Sequence, residues 1–237
     1  MNTHPASIFD ADYKALVLGA SGTIGSAFVK AFQTDPRCLD VQAVSRSDGS
    51  GFDFLDPKSI EKQALICGAL GPYQVIVDAT GALTIEGTGP EKSLAQLDSR
   101  VLMRNFEINA IGPVMALRYF APLLASGPCI YAKLSARVGS ISDNQKGGWY
   151  GYRASKAALN MLLQTAAIEL QRKKPQLRVV ALQPGTVKSA LSKPFASSVS
   201  QLLEPQESVA GMLAALKGLA PKPGAHFLDY RGEAIDW

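Results

Sequence analysis

Apolar residues in this chain come in short runs that alternate with stretches of helical periodicity. Ala15-Leu16-Val17-Leu18 is a compact apolar run that breaks at Gly19-Ala20-Ser21-Gly22-Thr23-Ile24-Gly25, after which good helix formers predict a helix over 26–33. An alternating stretch predicts a strand over 40–45, and Pro57 opens a helix over 57–70. Residues 73–79, with Val75, Ile76 and Val77, form a continuous β-branched run of the kind covered on both faces. A long helical pattern covers 94–124, with Gly112-Pro113 inviting a kink beside Asn109. Further strands are predicted over 128–134, 178–182 and 226–229. Between them lie a helix from Tyr152 to about Lys174 and a last one over 207–219. Strands and helices in alternation argue for an α/β fold built on a doubly wound parallel sheet, Rossmann-like, in a single domain over 13–237. Residues 1–12 are polar and mixed and read as a loose N-terminal arm, and 188–205, rich in Ser, Pro and Lys, read as a mobile segment and a substrate lid.

Composition narrows the class without adding chemistry. Of 237 residues, 47% are apolar and 19% charged, which excludes a disordered or fibrous chain. The net charge of +4 is scattered, and its one run, Arg172-Lys173-Lys174, falls where a helix ends and complements the helix dipole. No nucleic-acid partner is therefore expected. No apolar run approaches the roughly 20 residues that span a bilayer, and no signal peptide is visible, so a cytoplasmic chain without membrane attachment is expected. The 3 cysteines are far apart and read as buried thiols, and the 2 histidines lie at opposite ends, so no metal site is expected.

The order strand, glycine turn, helix at 15–33 is the layout of a dinucleotide-binding entrance. Gly19, Ser21, Gly22, Thr23, Ile24 and Gly25 are the candidate cradle: glycines let the backbone approach a pyrophosphate, and the helix N-terminus offers free N–H groups. At the end of the second strand stands Arg46, where an acid would bond a ribose 2'-hydroxyl and a cation accommodates a 2'-phosphate. NADP(H) is favoured over NAD on that basis, the bland reading being a loop cation. Ala79, Thr80 and Gly81, at the carboxyl end of another parallel strand, border the same crevice.

Tyr152 and Lys156 lie four residues apart on one helix face, one turn from each other. A phenol titrates near 10, and an adjacent ammonium favours its ionised form, so the spacing predicts a Tyr152 made more acidic by Lys156. Asn109 at the kink either satisfies freed backbone groups or holds a water near the site.

Taken in order, these motifs make the whole chain resemble a short-chain dehydrogenase/reductase. The resemblance is carried by the early glycine turn and Asp78-Ala79-Thr80-Gly81 in the place of that family's Asn-Asn-Ala-Gly. It continues in Asn109 ahead of Gly112-Pro113, Tyr152 with Lys156, and Pro184-Gly185. Gly147-Gly148-Trp149-Tyr150, Pro184-Gly185-Thr186-Val187, Leu191-Ser192-Lys193-Pro194-Phe195 and the ending from Phe227 are similar to its C-factor-like branch, itself similar to small carbonyl reductases. The resemblance implies an oxidoreductase of small carbonyl or alcohol substrates. In it Tyr152 is the general acid/base, Lys156 bonds the nicotinamide ribose and Asn109 positions a relay water. Pro184, Gly185 and Val187 hold the carboxamide, and Asp53 and Phe54 border the adenine. It also implies a homo-oligomer paired through the helices of Asn109 and Tyr152, with Val114, Leu117, Leu159, Leu162 and Leu163 as apolar surface.

The chain departs from the family pattern twice. Thr23 stands where the second glycine is usual, and Ala136 falls at the catalytic serine's place. Ser135 or Ser140 could substitute for that serine, with Ser135 pointing away if strand alternation continues. The alternative class is an NADP-binding sensor or signalling protein without turnover.

Overall fold

The computed structural model describes residues 7–46, 52–189 and 202–237. Its centre is a 6-stranded parallel sheet in the order β2-β1-β3-β4-β5-β6, formed by β1 (Tyr13–Leu18), β2 (Cys38–Val44), β3 (Val75–Asp78), β4 (Cys129–Leu134), β5 (Leu177–Gln183) and β6 (His226–Asp229). The chain runs outward from β1 to β2 and then returns to the other side of β1 for β3. That reversal opens a crevice at the carboxyl ends of β1 and β3, which is where ligands of such sheets bind.

Helices cover both faces, so the central strands are mostly apolar on both sides rather than alternating. One face packs on α1 (Thr23–Thr34) and α6 (Pro205–Lys217) through Phe28, Phe32, Met212 and Leu216. The other packs on α2 (Pro57–Gly68), α4 (Gly112–Phe120) and α5 (Tyr150–Gln171) through Ile60, Leu117, Phe120, Leu159 and Leu163. Local signals fix the helix starts. Asp56 accepts the Lys58 N–H with Pro57 behind it, and Asp98 accepts the Arg100 and Val101 N–H groups at the start of α3 (Ser99–Phe106).

The predicted helix over 94–124 is not continuous. α3 and α4 are joined by a π-helical turn over Glu107–Ile111, because Pro113 has no N–H to give to the carbonyl of Asn109, and the Gly112 N–H reaches back to Glu107 instead. The kink is thus a one-residue widening that carries Asn109.

Other expectations change as well. Within the expected loose arm, Ile8–Asp10 forms a 3-10 turn capped by Ser7, and Ile8 and Phe9 are buried, Phe9 edge-on to Tyr13. Burying two such side chains contributes roughly 1.5–3 kcal/mol each, enough to hold the segment down. Cys67 and Cys129 are buried and Cys38 is partly exposed, and none of the three is in a disulfide. Leu117, Leu159 and Leu163, expected on an oligomer surface, point into the core. The exposed apolar side chains of those helices are instead Met103, Met161 and Ile168, with Ile111 on the π turn. Most of the expected lid, residues 190–201, lies outside the described residues, while Leu203 pairs with Val187. Among the described residues no helix is long and apolar enough to cross a membrane.

Candidate active site

The glycine turn after β1 is shaped by two close approaches. Gly19 has φ +76°, a conformation that favours glycine, and packs on the Ala79–Thr80 peptide at the end of β3. A Cβ on Gly25 would stand 2.2 Å from the Gly19 carbonyl oxygen. Gly22 is the N-cap of α1 with φ −71° and no side chain to cap the helix, so the departure at Thr23 leaves the turn intact. Ser21, Gly22 and Thr23 are exposed at the crevice mouth and Ile24 is half-buried. The unclaimed N–H groups of this first turn and its positive dipole end suit a pyrophosphate.

Arg46 is exposed just past the end of β2. Asp53 is also exposed, and its carboxylate accepts the Leu55 N–H in a local turn. Phe54 is buried and faces Gly112, where a Cβ would meet its ring at 2.8 Å. On the far side of the crevice, Gly185 has φ +76° and packs against Leu203 and Tyr230. The Pro184 carbonyl accepts the Ser208 hydroxyl, and Val187 is buried.

Tyr152 sits in the first turn of α5, which begins at Tyr150, two residues before the predicted start. Trp149 precedes the helix in the left-handed region with φ 55°. Glu91 fixes that start: its carboxylate accepts the Gly151 N–H and its carbonyl accepts the Trp149 N–H. One turn on, Lys156 Nζ lies 5.7 Å from the centroid of the Tyr152 ring and donates to the Leu134 carbonyl at 3.1 Å. Gly81 completes the group, since a Cβ there would stand 3.1 Å from Asn109 Oδ1 and 3.5 Å from Lys156 Nζ. Asn109 is fully buried and bonds the Ala82 backbone in both directions, Oδ1 accepting at 2.9 Å and Nδ2 donating at 2.8 Å. The structure therefore brings Tyr152, Lys156, Asn109 and Gly81 together at the carboxyl edge of the sheet.

Two expectations are corrected here. Ser135 is buried and donates to Asn160 Oδ1 on α5. Its N–H still bonds Leu182, so strand alternation persists and turns the side chain into the α5 packing. Ser140, the other candidate, hydrogen-bonds the Asp143 N–H and lies 3.3 Å from the Ser142 hydroxyl. The charge balance of the Tyr152–Lys156 pair also differs from expectation. Tyr152 is pushed up to about 12 by burial rather than drawn down, and burial lowers Lys156 to about 7, helped by the charge of Lys133 and opposed by Asp78. Tyr152 is half-buried by area, and the desolvation of its surroundings sets the direction. A lysine that titrates near neutrality presents less than a full charge to its neighbour, so burial wins.

The sequence reading missed Lys133. It lies in the otherwise apolar β4 and, fully buried, pairs with the equally buried Asp78 at 2.9 Å. The signal was present: a lysine inside a strand covered on both faces needs a partner, and an aspartate ends the neighbouring strand.

Residues 51–199 match the family model described as short chain dehydrogenase. C-signal of Myxococcus xanthus is 34% identical over 169 residues, covering 70% of this chain and 94% of that protein. The 1-hydroxy-2-glutathionyl-2-methyl-3-butene dehydrogenase of Rhodococcus sp. (strain AD45) is 29% identical over 234 residues, 94% of this chain and 98% of its own. Among solved structures, the NADPH-bound carbonyl reductase from chicken fatty liver shares the fold with a TM-score of 0.82 at 23% identity, covering 96% of this chain and 95% of that one. The chain belongs to the short chain dehydrogenase family and is an oxidoreductase of that family.

Proposed function

We propose that this protein is an NADPH-dependent reductase of small aldehydes or ketones, with Tyr152 as the proton donor. The observation that carries the reading is the meeting of Tyr152, Lys156, Asn109 and Gly81 beside an uncapped helix N-terminus. The dehydrogenase name of the Rhodococcus relative and the NADPH bound to the chicken carbonyl reductase support it.

The Gly19–Gly25 turn would hold the pyrophosphate, Arg46 the 2'-phosphate, and Gly185 and Val187 the carboxamide end, with Lys156 on the ribose. When bound, the reduced nicotinamide supplies a hydride to the carbonyl carbon. Tyr152 gives its phenolic proton to the carbonyl oxygen as charge develops there. A phenol raised by burial is in the neutral form that a proton donor needs. Lys156, lowered to about 7 by burial, would return a proton toward Tyr152.

A second reading, a dinucleotide-binding sensor or signalling protein without turnover, is favoured by Ala136 at the serine's place, and one relative bears the name C-signal. NADPH oxidation across a panel of aldehydes and ketones separates the two. Turnover that falls by about 10²–10⁴ in Tyr152→Phe, with NADPH binding retained, supports the reductase. Equal turnover in mutant and wild type sinks the assigned mechanism, and tight NADPH binding without turnover on any substrate selects the sensor.

A further inference from the structure

We propose that Lys133 is a positioning residue of this site, clamping the Thr80–Gly81 turn and setting a second positive charge against that of Lys156. Lys133 and Asp78 are both fully buried, side by side on β4 and β3. The ammonium has three donors, and three good acceptors meet it: Asp78 Oδ1 at 2.9 Å, the Thr80 carbonyl at 2.6 Å and the Thr80 hydroxyl at 3.0 Å. Thr80 closes the ring, its N–H and hydroxyl donating to Asp78 Oδ1 at 2.9 and 2.6 Å.

Sheet stability does not account for such a pair. Burying two charges carries a desolvation penalty that well-packed apolar side chains of similar volume would avoid. What the pair secures is one peptide. Lys133 bonds the carbonyl of Thr80, and Lys156 Nζ lies 3.5 Å from where a Cβ on the next residue, Gly81, would stand. Two lysines thus converge on the turn that borders both the crevice and Asn109.

The charged and titratable groups that face Lys156 are Lys133 from β4, Asp78 from β3 and the Tyr152 phenol on its own helix. Asn109 from the π turn is uncharged, and Gly139 presents only backbone. Removing the Lys133 charge while Asp78 stays leaves Lys156 facing an unopposed carboxylate, so its proton is held to higher pH. The effect on NADPH affinity rests on the reductase reading; the effect on Lys156 does not.

The test is an NMR titration of protein labelled with carbon-13 at lysine Cε, the Lys156 signal assigned with Lys156→Arg. It compares wild type, Lys133→Gln and Asp78→Asn/Lys133→Gln. The proposal expects the Lys156 midpoint to rise by about one unit or more in Lys133→Gln and by less in the double variant, which also loses the carboxylate. It also expects NADPH affinity, read by fluorescence, to weaken several-fold in Lys133→Gln. Should the single variant fail to fold, the double variant, which buries no unpaired charge, carries the test by its upward shift. A midpoint that stays at the wild-type value in the folded variants, with only the melting temperature lowered, overturns the proposal. A shifted midpoint in a protein that reduces no carbonyl keeps the proposal and removes the reductase reading.

Discussion

The hydroxyl of Ser135 donates to Asn160 Oδ1 over 2.6 Å, and both side chains are buried. Because the strand pairing runs on through the Ser135 N–H, the side chain shares the α5 face with Tyr131 and Lys133. Ser135→Ala is therefore expected to lower stability by about 1–3 kcal/mol, since it leaves the Asn160 oxygen unpaired, while turnover stays within about twofold of wild type. Ala136 has the extended backbone of a strand end, φ −153° and ψ 144°, which serine adopts without strain. Ala136→Ser should add a hydroxyl donor for a substrate carbonyl and raise turnover about tenfold or more. Steady-state rates beside urea denaturation check both; a collapse of turnover in Ser135→Ala would reinstate that serine in the chemistry.

Arg46 is exposed immediately after β2, where the ribose of a dinucleotide in the Gly19–Gly25 cradle would end. A guanidinium there is matched to a 2'-phosphate by bidentate charge-assisted bonds, and an aspartate would repel it while bonding a free 2'-hydroxyl. Arg46→Asp should weaken NADPH by about 100-fold and leave NADH equal or tighter, as read by fluorescence titration. NADPH affinity unaffected by the substitution would mean that Arg46 is a loop cation.

Much of this architecture was legible because it rests on local rules. The apolar runs of β1, β3 and β5 and the glycine turn specify a parallel sheet with a phosphate crevice, and Gly112-Pro113 marks the interruption that carries Asn109. What was not legible depends on the third dimension. Whether Lys156 makes Tyr152 more or less acidic turns on a contest between burial and a neighbouring charge, and spacing along a helix reports only the neighbour. The polar character of 1–12 concealed Ile8 and Phe9, whose burial depends on Tyr13 and the α1 face. Leu159 and Leu163 lie on a helix with apolar residues on several sides, so the sequence could not say which side meets the sheet.

The glycine turn yields a paired prediction. A methyl group at Gly25 would overlap the Gly19 carbonyl at 2.2 Å, whereas one at Gly22 would approach the same oxygen only to 3.3 Å. Gly25→Ala must push α1 off the end of β1 and is expected to cost about 1–3 kcal/mol and to weaken NADPH binding tenfold or more. Gly22→Ala, at a φ open to any residue, should cost about 1 kcal/mol or less and keep most of the affinity. Thermal melts and NADPH titration of the two variants decide the matter. If both behaved alike, the close approach of Gly25 would not be what shapes the cradle.

His226 gives the fold a definable acid sensitivity. Buried at the start of β6, its imidazole is lowered to about 4, chiefly by desolvation and further by Lys222 and Arg178. The unfolded chain takes up this proton near 6.5 and the folded chain only near 4, so between these values the unfolded state binds more protons. Stability from this group is therefore fully present above about pH 6.5 and is lost as pH falls through 4, by up to about 3 kcal/mol. Carboxylates add their own acid dependence at the lower end, so the informative quantity is the difference between wild type and His226→Gln. Urea unfolding at about pH 7.5 and about pH 4.5 should show the variant losing less stability on acidification. Equal losses in the two proteins would mean that His226 is protonated in the folded state at little cost, and its burial would then need a counter-charge from elsewhere.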